Sequence, residues 1–188
     1  MGRIARETVE RAGIDVDVLV NRLMTLARAE LAACYRCTIL CVPSTDVDDG
    51  LREILRDVRA EDRNHFDVLV TRIHELDARV PVDIRLFVAD VSDEDVPAVP
   101  GEGLRSLVKV LIECEKRAVL AYGRLCEFTR GKDHRTYEIA HAILNEEIEH
   151  EKWFRELLGT GRPSRFHRGF RGRSPYLERL PPSDLDPG

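Results

Sequence analysis

The stretch AHAILNEEIEHEKWF, residues 140–154, sets Ala140, Ile143, Glu147, His150 and Phe154 at steps of three and four, and Leu157 continues the row. That spacing makes one face of an α-helix. The face is apolar except at its middle, where an acid and an imidazole one turn apart interrupt it. Glu147 falls near the centre of the stripe, whereas Glu149 points well away from it at 100° per residue. A carboxylate on a core face is strongly disfavoured unless a compensating charge lies beside it.

Eighty-five residues upstream the pattern recurs. In AEDRNHFDVLVTRIHEL, residues 60–76, Asp62 and His65 share a face with Leu51, Leu55, Val58, Leu69 and Ile73. Glu61 could also approach His65, but Asp62 lies closer to the stripe centre and matches the i,i+3 relation of Glu147 to His150. A second pair of acids follows the same arithmetic. Glu30 precedes Asp62 by 32 residues and His65 by 35; Glu115 precedes Glu147 by 32 and His150 by 35. Glu30 sits in the row Leu19, Leu23, Leu26, Glu30, Cys34, Cys37, Cys41, and Glu115 in the row Leu104, Val108, Leu111, Glu115, Tyr122, Cys126. No lysine or arginine stripe shares these faces. Four inward carboxylates would repel one another and be desolvated, whereas two divalent ions would balance them. One Glu from each of two helices, with an acid-x-x-His pair from each of the other two, is the ligand pattern of ferritin-like dimetal bundles. An oxygen-rich set with two imidazoles favours Fe or Mn over Zn.

The periodicity predicts four long helices: Val16 to Val42, a second ending near Leu76, Glu102 to Thr129, and a fourth ending near Leu158, before Gly159. Pro43 and a short acidic turn make the first two antiparallel neighbours, and GKDH at 131–134 does the same for the last two. Residues 77–103, where Pro81, Pro97, Pro100, Gly101 and Gly103 interrupt periodicity, read as a long crossover carrying a short helix around Val82 to Val91. The expected fold is therefore all-α, a ferritin-like antiparallel four-helix bundle over residues 1–159. An Arg/Pro/Gly-rich tail over 160–188 would follow it.

A chain of 188 residues with 43% hydrophobic and 34% charged residues suits one helix-rich domain. The net charge of −5 argues against nucleic-acid wrapping, and no apolar run approaches the roughly 20 residues that span a bilayer. The charged N-terminus lacks a signal-peptide core, and five cysteines cannot all pair internally. A cytoplasmic, membrane-free protein is expected.

With these residues placed, the chain resembles a Dps-like member of the ferritin superfamily, over nearly its whole length. RAELAACYRCTIL at 28–40, EDRNHF at 61–66, LNEEIEHE at 144–151 and SPYLERL at 174–180 carry the resemblance. It implies a bacterioferritin-type site of two Fe ions, Mn being the alternative metal. Glu30 and Glu115 would be terminal ligands, Glu147 and the second-helix acid would bridge, and His65 and His150 would complete the set. It implies further a homo-oligomeric shell of twelve subunits that oxidises Fe(II) with hydrogen peroxide or dioxygen. The ferric product would be stored as a mineral, and removing the reactants would protect DNA. Many members of the group carry a cysteine pair beside the site. Here residue 117 is Arg117 and residues 77–103 contain no cysteine, so a thiol-assisted role is not carried over. The rival readings are a dimanganese catalase or rubrerythrin-like peroxidase, and a helical protein that binds iron without oxidising it.

Among the remaining features, Cys34, Cys37 and Cys41 form no loop-borne metal motif, because on a continuous helix they pack as small hydrophobes. Cys34, one turn from Glu30, is the thiol expected nearest the site. Tyr122, two turns beyond Glu115, is expected to be buried with a hydrogen-bonded hydroxyl. The tail carries Arg162, Arg165, Arg168, Arg171 and Arg173 interleaved with Phe166 and Phe170. It is expected to bind a neighbouring subunit's acidic surface, with contact to DNA phosphates or bases as the other reading.

Overall fold

Capping and apolar periodicity account for where each helix begins and ends. The computed structural model describes residues 2–42, 49–89 and 103–160. Six helices occupy them, with no strand among the described residues: α1 (Gly2–Arg11), α2 (Val16–Leu40), α3 (Asp49–Glu75), α4 (Ile84–Phe87), α5 (Gly103–Thr129) and α6 (His134–Thr160). Asp15 caps α2, its Oδ1 accepting from the amides of Asp17 and Val18 at 3.0 and 3.1 Å. Asp133 caps α6 by accepting from the Thr136 amide at 3.1 Å. Gly131, with φ +70, makes the left-handed turn that reverses the chain between α5 and α6.

The four long helices pair as α2 with α3 and α5 with α6, and α3 touches α6 across the bundle. This is the four-helix bundle that the stripes require. The buried apolar residues divide into two clusters. One is centred on Leu19, Leu23, Leu69, Ile73, Leu125 and Ile143. The other contains Leu51, Leu55, Val58, Leu111, Phe154 and Leu157. Between them lies the polar layer formed by the six residues that interrupt the stripes.

One end of the bundle is held by a buried ionic clamp. Arg72 of α3 donates through Nη2 to both Asp133 oxygens at 3.1 and 2.9 Å, and through Nε to Thr136 Oγ1 at 2.8 Å. Glu75 accepts two bonds at 2.7 Å from Arg135 on α6 and one at 2.9 Å from Arg72. The turn between α5 and α6 is thereby fixed against the C-terminal end of α3.

Three boundaries differ from the sequence reading. Residues 2–11 form a helix that periodicity does not announce, since it buries little beyond Val9. The crossover helix is a single turn, Ile84–Phe87, capped by Asp83. The last helix runs through Gly159 to Thr160. Most of the crossover beyond residue 89, and the basic tail beyond residue 160 with its expected partner or DNA contacts, lie outside the described residues.

Candidate metal centre

The stripes deliver all six sequence-selected residues to one layer. Glu30 comes from α2, Asp62 and His65 from α3, Glu115 from α5, and Glu147 and His150 from α6, and all are buried. They form two overlapping groups of candidate ligand atoms lying within 4.8 Å of one another: Glu30, Asp62, His65 and Glu147, then Glu115, Glu147 and His150. Glu147 belongs to both, so its two oxygens could serve two ions at once. Asp62 belongs to the first group only; its side chain is one methylene shorter than a glutamate's.

The imidazoles are oriented from behind. His65 Nδ1 lies 3.0 Å from Glu147 and 3.3 Å from Glu30, while its Nε2 lies 2.6 Å from Glu146. His150 repeats the arrangement: Nδ1 is 3.6 Å from Glu147 and 3.7 Å from Glu115, and Nε2 is 2.9 Å from Glu61. The two rings stack with centroids 6.1 Å apart. Each Nε2 is thus held by a buried carboxylate of the opposite helix, and each Nδ1 is left facing the acids. A carboxylate behind a ligating imidazole fixes its tautomer and raises its basicity. Glu61 therefore does not replace Asp62 but stands behind His150.

Glu61 and Glu146 are the functional residues that the sequence reading missed in this role. The signal was present: they too are 85 residues apart, each immediately before the inward acid. Tyr122 meets its expectation, donating its buried hydroxyl to Glu30 Oε1 at 2.5 Å. Cys34 lines a groove with Arg59, Arg63 and Asn64 on the α2/α3 side, and burial, followed by the charge of Asp62, raises its thiol. Cys37 and Cys114 line the cavity that also holds the acids.

Burial and mutual charge together set the electrostatics of the layer. Burial pushes the Glu30 carboxyl up, and the charge of Glu147 adds to that shift. Burial, reinforced by Glu30, holds Asp62 well above the usual carboxylate range. Glu115 is pushed up to about 8, chiefly by burial. Burial opposes charge on both imidazoles, yet their carboxylate partners outweigh it and hold both well above the usual histidine value. For Glu147 the bonds from His150 and His65 outweigh burial and lower it. Buried carboxyls are thus driven towards their neutral form, and a cation among them would favour the charged form instead. Asp62 Oδ2 and His150 Nδ1 are buried with no hydrogen-bond partner. Lone pairs left facing one another in this way fit metal cations of intermediate hardness, such as divalent iron or manganese.

The comparisons with known proteins bear on the family and the fold. A ferritin-like domain model matches residues 48–163. A protein named "DNA protection during starvation protein" from Pyrococcus furiosus is 48% identical over 179 residues, spanning 93% of this chain and 95% of that one. Among solved structures, a dodecameric thioferritin of Bacteroides fragilis, described as bacterioferritin-related, superposes with a TM-score of 0.75. It covers 84% of this chain and 94% of its own at 23% identity, a likeness of fold alone.

Proposed function

The chain belongs to the ferritin-like family as a Dps-like member, and from that premise we propose that it binds two Fe(II) ions as substrate, oxidises them with hydrogen peroxide or dioxygen, and stores the ferric product. Glu30, Asp62, His65, Glu115, Glu147 and His150 supply the ligands. With peroxide, each Fe(II) gives one electron, the O–O bond breaks, and two protons from solvent complete two waters. Anionic carboxylates favour the more highly charged ferric product. Because ferrous iron and peroxide are consumed together, DNA is protected without being touched.

A homo-oligomeric shell of twelve subunits and a cytoplasmic location belong to the same proposal. So does the division into a bundle over residues 1–159 and a basic tail over 160–188. The observation that carries the reading is the pair of imidazoles whose Nε2 atoms are held by Glu146 and Glu61 while both Nδ1 atoms face shared Glu147. Anaerobic Fe(II) titration followed by stopped-flow mixing with peroxide tests it. Two Fe(II) bound per chain, then a ferric absorbance consuming one peroxide per two Fe(II), is the expected result. Binding without a ferric signal would indicate a simple iron-binding protein, and oxygen evolution by the Mn-loaded protein would indicate a catalase.

A further inference from the structure

A cavity of about 140 Å³ separates α2 from α5, on the side of the bundle where those helices do not pair. Its lining runs from Glu30, Asp62, Glu115 and Glu147 to the exposed Thr25 and Arg117. Alanines at positions 29, 33, 118 and 121 keep the passage open. It has room for several molecules the size of water.

Arg36 is the unexpected residue in that lining. It is 8% exposed and reaches from α2 to α5, where its Nη1 donates to Cys114 Sγ at 2.8 Å. Its Nε is buried with no hydrogen-bond partner. A fixed, buried cationic donor is therefore left unused beside the metal layer, in the same cavity as the candidate ligands.

We propose that this cleft admits and holds the oxidant, and that Arg36 selects hydrogen peroxide over dioxygen. The inference rests on the ferroxidase reading given above. Peroxide accepts a hydrogen bond readily, whereas dioxygen is a poor acceptor. As peroxide takes two electrons from two Fe(II), its O–O bond breaks and negative charge grows on oxygen before two protons from solvent complete two waters. A buried cationic donor lining the same cavity as the candidate ligands can stabilise that charge. Arg36 belongs to neither group of candidate ligands, so the Fe(II) stoichiometry should not depend on it.

The test uses the full-length assembled protein with Arg36→Gln and Arg36→Lys. Initial rates of ferric formation are measured against peroxide and, separately, against dioxygen, after anaerobic Fe(II) binding has been titrated. R36Q is expected to raise the KM for peroxide by about tenfold or more, to change the dioxygen-driven rate by less than about twofold, and to leave Fe(II) stoichiometry unchanged. R36K is expected to recover part of the peroxide affinity, since it restores a cationic donor. An unchanged peroxide KM, or equal losses with both oxidants, overturns the assignment. Ala118→Leu, which narrows the passage, is expected to slow both oxidants with Fe(II) binding intact, and unaltered rates in that variant overturn the entry route. Failure of the wild-type protein to oxidise Fe(II) would instead remove the proposed function itself.

Discussion

At the scale of single residues, an imidazole buried among carboxylates is defined by what holds each of its nitrogens. Glu146 and Glu61 fix the Nε2 atoms of His65 and His150, so replacing either should loosen the ring it holds while leaving all six ligands in place. Glu61→Gln or Glu146→Gln is expected to weaken metal binding by about 10–100-fold, measured by anaerobic titration with Fe(II) or Co(II). Unaltered affinity in both variants would show that the rings are held by other contacts. The raised carboxyl and imidazole values of the layer give a second prediction. Glu115 rises from 4.5 to about 8, so folding takes up a proton there. Its contribution to stability is complete below the unfolded value and disappears as pH climbs towards the folded one. His65 and His150, also raised, contribute fully below the ordinary histidine value and lose that contribution as pH rises towards their folded values. Glu147, which is lowered, acts in the opposite sense in acid. Metal displaces the protons and binds better as they leave. The increase in Tm on adding Mn(II) should therefore be larger at about pH 8 than at about pH 5.5. Scanning calorimetry of both forms would check this, and a gain that shrinks with rising pH would contradict it.

At the scale of elements, the four long helices were legible because each carries an apolar stripe several turns long. The site was legible because its ligands interrupt those stripes with a repeat of 85 residues. Facial position then separated Glu147 from Glu149 and favoured Asp62 over Glu61. Helix α1 was not legible, since a short segment with almost only Val9 to bury has no stripe to read. Arg36 was missed for a different reason. A helical wheel places it off the stripe, and only the gap between α2 and α5 gives its long side chain a buried place. The Arg72–Asp133 clamp was equally hidden, because its partners lie 61 residues apart and meet only when the hairpins pack. Breaking it should be costly. Asp133→Ala removes the cap of α6 and leaves a buried guanidinium without its bidentate carboxylate, an expected loss of about 3–5 kcal/mol in urea denaturation. A loss below about 1 kcal/mol, the usual range for an exposed pair, would show that the clamp contributes little.

At the scale of the whole molecule, the polar layer divides the core into two apolar clusters and leaves the candidate metal centre between them. Its place in the fold follows from the two hairpins. Each brings one terminal acid and one acid-x-x-His pair, and their pairing through α3 and α6 completes the two overlapping groups. Light scattering is expected to find a shell of twelve chains, and elemental analysis of the same sample more iron per chain than two ions once Fe(II) and peroxide have been supplied. The most direct test is an anomalous difference map at the iron edge, from crystals loaded anaerobically with Fe(II). Two peaks are predicted per chain, one beside Nδ1 of His65 and one beside Nδ1 of His150, with Glu147 reaching both. A layer without peaks, or iron held only by surface acids while these six side chains keep their mutual contacts, would contradict the account.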